Sequence, residues 1–214
     1  MIFKIFLNAF LAGFALGIAG TVNLSVGGGL PGAFLFGFGL FLILCFSFKL
    51  FTGAIGYLAE QKKDHFFSYL WSLIVIWLGN FAGTAFVGWL VRNSRIAEKI
   101  VPAAEKLCEI KLADSGLSIL ILSFFCGFLM FVAVDSFRRE SFPPIFRVLM
   151  VFLCVIIFIL SGFEHCIANM FYFSVSGMLL ECQSGHLTII WILLMTLGNS
   201  IGGWFLPIMN KIRQ

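Results

Sequence analysis

Long apolar segments, separated by short charged ones, dominate this sequence. The six longest apolar runs cover residues 6–26, 33–59, 66–91, 115–134, 146–180 and 187–209. Because the hydrocarbon core of a bilayer is about 30 Å thick, a helix needs about 20 apolar residues to cross it. A soluble domain could not bury so much apolar surface, since 61% of the residues are hydrophobic and only 11% are charged. We therefore predict an all-α membrane protein with six transmembrane helices, and exclude soluble enzymes, nucleic-acid binders and disordered regulators.

The charged residues between the runs predict the orientation of the chain. With six spans, both termini share one side, which then carries Lys4, Lys62, Lys63, Arg138, Arg139, Arg147, Lys211 and Arg213. The opposite side carries fewer basic residues, namely Arg92, Arg95, Lys99, Lys106 and Lys111. The positive-inside rule places both termini in the cytoplasm, and we expect a multi-pass protein of the cell inner (cytoplasmic) membrane. The first run continues as a full span after few residues, so we expect neither a cleaved signal nor a large cytoplasmic gating segment.

Two similar segments indicate an internal repeat. LGNFAGTAF (78–86), in the third run, matches LGNSIGGWF (197–205), in the sixth, at Leu, Gly, Asn, Gly and Phe. The repeat unit is three spans, and an odd number of spans inverts the second copy, so we predict a 3+3 inverted repeat. The asparagines, Asn80 and Asn199, are expected to hydrogen-bond within the bundle as scaffold residues, beside glycines that allow close helix packing.

The repeat defines the domain organisation. We predict a single transmembrane domain over residues 1–214, with repeat halves at about 1–91 and 112–209. The linker 92–111 has apolar residues at helical spacing and is predicted to form an amphipathic helix on the outer surface.

The second and fifth runs are longer than a plain span requires, and each has a polar interruption. The interruptions are KLFTG (49–53) and SGFEHCIAN (161–169). Unwound backbone is tolerated in a membrane only where it lines a cavity. Interrupted runs at matching places in the two halves therefore indicate a transport site where the halves meet.

Glu164 and His165 lie deep in the fifth run, where ionisable groups are costly and by default functional. A histidine titrates near a pKa of about 6.5, so His165 can exchange a proton with a passing anion or donate a hydrogen bond to it. A carboxylate facing an anion path would repel the cargo, so we expect Glu164 to support the scaffold together with Asn169. The alternative is that both ionisable residues only stabilise a broken helix.

Two lysines are ambiguous from spacing alone. Lys49, the basic residue deep in the second run, either attracts anions or pairs with an acid or backbone carbonyls away from the pore. Thr52, one helical turn further on, can offer its hydroxyl beside His165. Lys111 precedes the fourth run and, by spacing alone, reads as an interfacial lysine.

No disulfide, metal or cofactor is expected. The cysteines are scattered, at positions 45, 108, 126, 154, 166 and 182, without paired spacing. A zinc site needs three or more ligands, and neither HExxH nor GxSxG occurs in the sequence. An intramembrane enzyme using Glu164 and His165 is therefore disfavoured, and we predict that the protein is not an enzyme.

Taken together, these motifs resemble the formate/nitrite transporter family, which also includes hydrosulfide channels. GFEHCIANMF (162–171) resembles the family's most characteristic segment, KLFTG resembles its second-helix motif, and the two LGNxxG segments resemble those of its third and sixth helices. The resemblance implies a homopentamer with one pore per subunit. Each subunit has six helices in an aquaporin-like arrangement, with broken second and fifth helices and cytoplasmic termini.

The resemblance also implies roles for individual residues. The family's central histidine corresponds to His165, its loop threonine to Thr52, and its vestibule lysine to Lys111. Its hydrophobic constrictions correspond to Leu40, Leu50 and Phe158, with Phe36 on one flank. Two positions depart from the family pattern, because Lys49 replaces a usual acidic residue and Gly127 replaces a usual asparagine. The second change is expected to remove a polar partner near His165.

The predicted function is a channel for small monovalent anions or their conjugate acids, with formate, nitrite or hydrosulfide as cargo. In one route, Lys111 and Lys49 concentrate the anion, desolvation raises its pKa, and it crosses as a neutral acid. In the other, His165 protonates or hydrogen-bonds the cargo, with Thr52 as co-donor. The alternative function is a proton-coupled secondary carrier for a small organic acid such as lactate. Protons, membrane lipid and other copies of the chain are the expected partners.

Overall fold

The computed structural model describes residues 2–179 and 185–213, and the regular structure of those residues is entirely helical. In chain order the helices are α1 (Ile2–Ser25), α2 (Gly29–Cys45), α3 (Phe51–Ala54), α4 (Lys63–Arg92), α5 (Ala97–Leu112), α6 (Gly116–Arg138), α7 (Pro144–Leu160), α8 (Cys166–Ser176) and α9 (Gly185–Arg213). A 3₁₀ helix, Ile55–Glu60, follows α3 directly. Cys182 and most of the connector expected at Glu181–His186 lie outside the described residues.

Four helices are long and apolar enough to cross a membrane by themselves. They are α1, α4, α6 and α9, with 24, 30, 23 and 29 residues. These lengths correspond to about 35 Å or more at 1.5 Å per residue, against a hydrocarbon core of about 30 Å. The apolar helices of the described residues thus indicate a multi-pass membrane protein.

The second and fifth apolar runs each contain two helices with a non-helical segment between them. α2 and α7 end in the same Schellman motif, in which one residue adopts a left-handed conformation and the next returns a hydrogen bond to the helix. The left-handed residues are Ser47, with φ 55°, and Gly162, with φ 67°. The returning bonds run from the Phe48 amide to the Ile43 carbonyl and from the Phe163 amide to the Phe158 carbonyl, both 2.9 Å. The chain then re-enters helix at α3 and α8.

Close helix contacts hold the long helices in two pairs, α1 with α4 and α6 with α9. A Cβ atom on Gly13 would overlap the carbonyl of Asn80, and one on Gly127 would overlap the carbonyl of Asn199. Only glycine permits backbones to approach this closely. The structure therefore supplies a packing reason for Gly127, which lies against α9.

The linker helix α5 packs its apolar face on protein. Ile100, Ala104 and Cys108 have no exposed surface, and α5 contacts α8 and α1. The amphipathic helix predicted for the linker 92–111 is thus found as α5, and α8 and α1 contact it. Burial raises the pKa of the Cys108 thiol to about 12.

Candidate functional site

Asn199 supports the non-helical segment before α8. Its Oδ1 accepts from the Cys166 amide at 2.8 Å, and its Nδ2 donates to the carbonyls of Ser123 and Glu164 at 2.7 and 2.8 Å. The side chain is fully buried. One asparagine therefore supplies partners for three backbone groups that would otherwise cost free energy inside an apolar bundle.

Asn80 makes the equivalent three bonds for the segment before α3. Its Oδ1 accepts from the Phe51 amide at 2.9 Å, and its Nδ2 donates to the carbonyls of Ala9 and Lys49, both at 2.8 Å. Each asparagine thus links the first residue of a short helix, the residue two positions before it, and the helix packed beside its own. The two segments that the sequence singled out as KLFTG and SGFEHCIAN are anchored in the same way.

His165 and Thr52 meet where these two segments converge. His165 Nε2 lies 2.9 Å from Thr52 Oγ1, and both side chains are buried. His165 is also the N-cap of α8, because its Nδ1 accepts from the Ala168 amide at 3.0 Å. Since Nδ1 is an acceptor, the neutral ring carries its proton on Nε2 and donates it to the threonine oxygen. The Thr52 hydroxyl proton is then available to another acceptor.

Lys111 and Glu164 form a buried ion pair next to His165. Lys111 Nζ lies 2.8 and 2.7 Å from the two carboxylate oxygens of Glu164. The side chains are only 10% and 6% exposed. Asn169 Nδ2 donates to the same carboxylate at 2.6 Å. The negative charge of Glu164 is therefore compensated by an ammonium and an amide, and the predicted scaffold pair Glu164 and Asn169 is joined directly to Lys111.

A cavity of about 110 Å³ lies beside this ion pair. We call it the Lys111 cavity, and its polar lining residues are Lys111, His165, Asn169, Asn23 and Tyr172. Its volume suits a molecule of a few non-hydrogen atoms, since one water in the liquid occupies about 30 Å³. The structure thus brings Lys111 and His165 to one small chamber, although they are on different elements.

Lys49 lies elsewhere. It is exposed, and together with Phe48 and Arg138 it lines two cavities of about 420 and 430 Å³, here called the Lys49 cavities. Among the described residues, neither Lys49 nor Arg138 forms an ion pair. The Arg138 guanidinium carbon lies 5.0 Å from the centre of the Tyr57 ring. Two positively charged side chains therefore line the same cavities, and the Asp135 carboxylate, which accepts from the Tyr57 hydroxyl at 3.3 Å, lies near Arg138.

The four predicted constriction residues are all buried, at 4% exposure or less. The Phe158 ring lies 5.9 Å from the Phe36 ring at 83°, and 5.7 Å from the His165 ring. Phe158 lines the Lys111 cavity, whereas Leu50 lines one of the Lys49 cavities. Leu40 is one helical turn after Phe36 on α2. The predicted constriction residues are thus buried, and one of them lines a cavity in each set.

Among the residues that line these cavities, Asn23, Tyr172 and Arg138 carry polar groups that the sequence interpretation did not assign to the site. Asn23 and Tyr172 line the Lys111 cavity, and Arg138 lines both Lys49 cavities. Asn23 could have been recognised from the sequence as a candidate site residue, because it is an amide side chain inside the first apolar run. Tyr172 and Arg138 could not, since a tyrosine within α8 and an arginine at the end of α6 are ordinary at membrane boundaries.

Comparison with known proteins identifies relatives of the chain. Residues 1–211 match the model of the family described as formate/nitrite transporter. The chain is 27% identical to a formate-nitrite transporter of Entamoeba histolytica over 96% of its length, and 30% identical to the nitrite transporter NirC of Escherichia coli over 78%. It spans 62% and 65% of the lengths of these two relatives.

Two solved structures have the same fold. A pentameric formate channel with formate bound superimposes with a TM-score of 0.85, covering 99% of this chain and 96% of that one at 24% identity. An FNT family ion channel superimposes with a TM-score of 0.81, covering 99% and 90% at 22% identity. These matches are transporters and channels by name, which agrees with the prediction that the chain is not an enzyme.

Proposed function

The chain belongs to the formate/nitrite transporter family, and from that premise we propose that it is a channel for small monovalent anions or their conjugate acids. Formate, nitrite and hydrosulfide are the candidate cargoes. The observation that carries the proposal is the Thr52–His165 hydrogen bond, at 2.9 Å, buried beside the cavity that Lys111 lines. Such a polar pair within apolar surroundings is the expected form of an intramembrane transport site.

The proposed architecture is a 3+3 inverted repeat in one domain, with halves of about 1–91 and 112–209 joined by α5. The equivalent hydrogen bonds of Asn80 and Asn199 support it, as do the equivalent glycine contacts of Gly13 and Gly127. In this scheme α2 and α3 with the 3₁₀ helix form a broken second span, and α7 and α8 form a broken fifth span. The N-terminus of α8 directs its positive dipole end at the centre of the pore.

We further propose that five copies assemble in the inner membrane, each with its own pore and with cytoplasmic termini. The similarity to a pentameric formate channel supports the assembly. Many large apolar side chains are exposed on the single chain, among them Trp71, Trp89 and Phe125. Contiguous apolar surface of this extent requires either lipid or protein neighbours.

Transport begins with attraction of the anion at one of the lysine cavities. A bare anion in an apolar constriction loses hydration at a cost of several kcal/mol. The Lys111–Glu164 pair has no net charge, so its carboxylate does not repel the anion as a free carboxylate would. Lys111 lowers the cost through its third ammonium hydrogen, which the pair leaves to donate to the anion. Desolvation raises the pKa of the conjugate acid of the anion, so the anion takes up a proton. The neutral acid then crosses past the constriction residues Phe36, Phe158, Leu40 and Leu50. On the other side, Lys49 and Arg138 attract anions in the same way.

His165 tunes this passage. The neutral ring donates a hydrogen bond from Nε2 to the Thr52 oxygen. The Thr52 hydroxyl proton can therefore be donated to the cargo between the two constrictions. In the competing route, His165 protonates the cargo directly. His165→Asn distinguishes the routes, because asparagine keeps a hydrogen-bond donor but cannot titrate. Retained uptake with an altered pH profile favours passage as a desolvated acid, and abolished uptake favours proton transfer from His165.

Stopped-flow uptake into proteoliposomes tests the function. Formate, nitrite, hydrosulfide and lactate are compared from pH 5 to 8 for the wild type, His165→Ala and His65→Ala. His65 is an exposed histidine at the start of α4 and serves as the matched control. We expect fast uptake of one or more small anions that increases as the pH falls, with a change in His165→Ala only. Uptake no faster than that of empty liposomes would contradict the channel, and saturable lactate uptake with strict dependence on a proton gradient would indicate a carrier.

A further inference from the structure

Asn23 and Tyr172 are two buried polar residues of the Lys111 cavity that the proposed mechanism does not use. Asn23, near the end of α1, is 7% exposed, and Tyr172, in α8, is 6% exposed. The Asn23 Nδ2 donates to the hydroxyl oxygen of Tyr172 at 3.2 Å. Buried polar side chains are costly unless their hydrogen-bonding groups are satisfied, so the partners of this pair define what the cavity can hold.

The orientation of the Asn23 amide follows from its contact with α2. Its Oδ1 lies against the backbone of Gly32, so close that a Cβ atom on Gly32 would overlap it. Among the described residues this buried oxygen has no conventional hydrogen-bond partner, so a weak contact from the Gly32 Cα–H is what remains for it, while the Nδ2 is hydrogen-bonded to Tyr172. The Nδ2 group therefore faces Tyr172, and the tyrosine oxygen is the acceptor of the pair.

In this orientation the hydroxyl proton of Tyr172 is not donated to Asn23. A phenol both accepts and donates. Its acceptor role is taken by Asn23, and in the part of the chain that the structure describes Tyr172 donates to no protein group. Tyr172 lines the same 110 Å³ cavity as Lys111 and His165, so an acceptor inside the cavity is the remaining partner for the proton.

We propose that Tyr172 binds the cargo in the Lys111 cavity and that Asn23 positions it. This inference rests on the proposed channel function and names the class of cargo as a small oxyanion, such as a carboxylate or nitrite. The Tyr172 hydroxyl donates to one oxygen of the anion, while the third ammonium hydrogen of Lys111, which the Glu164 pair does not use, donates to the anion as well. Sulfur is a weak hydrogen-bond acceptor, so hydrosulfide gains little from Tyr172. Tyr172 therefore favours oxyanions over hydrosulfide.

The test compares Tyr172→Phe, which removes one oxygen atom and leaves the ring, with the wild type. Uptake of formate, nitrite and hydrosulfide is measured at concentrations below saturation. A hydrogen bond to an anion is lost, so we expect about a five- to tenfold fall in formate and nitrite uptake and less than about a twofold change for hydrosulfide. Ser174→Ala is the matched control, because it removes a hydroxyl from the same helix. Ser174 lines a groove between α4 and α9 and not the Lys111 cavity. This control should leave all three rates unchanged.

A second comparison tests the positioning role of Asn23. Asn23→Ala should lower formate uptake in the wild type but have little further effect in Tyr172→Phe, because it acts through the tyrosine. Additive losses would overturn that role. If the wild type takes up the anions and Tyr172→Phe does so equally fast, the proposal for Tyr172 is overturned while the channel function stands. An equal loss of uptake for all three anions would have the same meaning, because damaged packing does not distinguish oxygen from sulfur. No uptake by the wild type would overturn the channel and this proposal together.

Discussion

The buried ion pair of Lys111 and Glu164 should have the largest effect on stability of any single site described above. Its Nζ–O distances are 2.8 and 2.7 Å, and the two side chains are 10% and 6% exposed. Truncating one member of such a pair leaves an uncompensated charge in a medium that solvates it poorly, which costs about 3–5 kcal/mol. Lys111→Met should therefore lower the free energy of unfolding by that amount, because Asn169 alone then faces the Glu164 carboxylate.

The double variant Lys111→Met/Glu164→Gln separates lost charge balance from lost packing. The glutamine oxygen still accepts from Asn169, and no charge remains. The free energy of unfolding of the double variant should therefore lie within about 2 kcal/mol of the wild-type value. Arg139→Met is the control, because it breaks an ion pair with Asp135 in which the arginine is 48% exposed, and should cost less than about 1 kcal/mol. Denaturant unfolding in detergent micelles, followed by tryptophan fluorescence, measures all three. A double variant as unstable as Lys111→Met would refute the reasoning.

The other predictions concern individual contacts. Asn199→Ala should lower the free energy of unfolding by about 2–4 kcal/mol in the same assay, because it leaves the Cys166 amide without its acceptor and two carbonyls without donors. Gly127→Ala should cost about 1–3 kcal/mol by separating α6 from α9, and an unchanged stability would contradict the close contact. Lys49→Glu should weaken anion uptake and its dependence on ionic strength, whereas equal uptake in both proteins would make Lys49 a scaffold residue. The Cys108 thiol, whose pKa is raised to about 12, should not react with maleimide at pH 7.5, as judged by mass spectrometry of the labelled peptides.

The parts of the site that the sequence predicted are those with a local signal. The repeated LGNxxG segments singled out Asn80 and Asn199 because the same nine-residue pattern recurs at the end of each half. The interruptions KLFTG and SGFEHCIAN were visible because polar residues are rare in long apolar runs. Both signals can be read within a short window of sequence. α3 and α8 begin within these two segments and α7 ends directly before SGFEHCIAN, whereas α2 ends at Cys45, before KLFTG begins at Lys49.

The partners of the polar residues could not be predicted in this way. Lys111 and Glu164 are 53 residues apart on different elements, and Asn23 and Tyr172 are 149 residues apart. Whether two such residues touch depends on how the helices pack, which periodicity does not determine. The partner of the apolar face of α5 could not be predicted for the same reason. Its amphipathic pattern is real, but the pattern alone does not say whether α8 or lipid covers the apolar face.

The hydrogen bonds of Asn80 and Asn199 impose an order on biosynthesis. Asn80 is on α4, so the non-helical segment before α3 acquires its partners once α4 has been made. Asn199 is on α9, 33 residues after Cys166 and 35 after Glu164, so the backbone of these two residues acquires its partners once α9 has been made. Unpaired backbone groups are not stable in lipid. Each non-helical segment is therefore completed only by a helix whose asparagine is made 29 or 33 residues later, and its backbone is not stable in lipid before that helix packs against it.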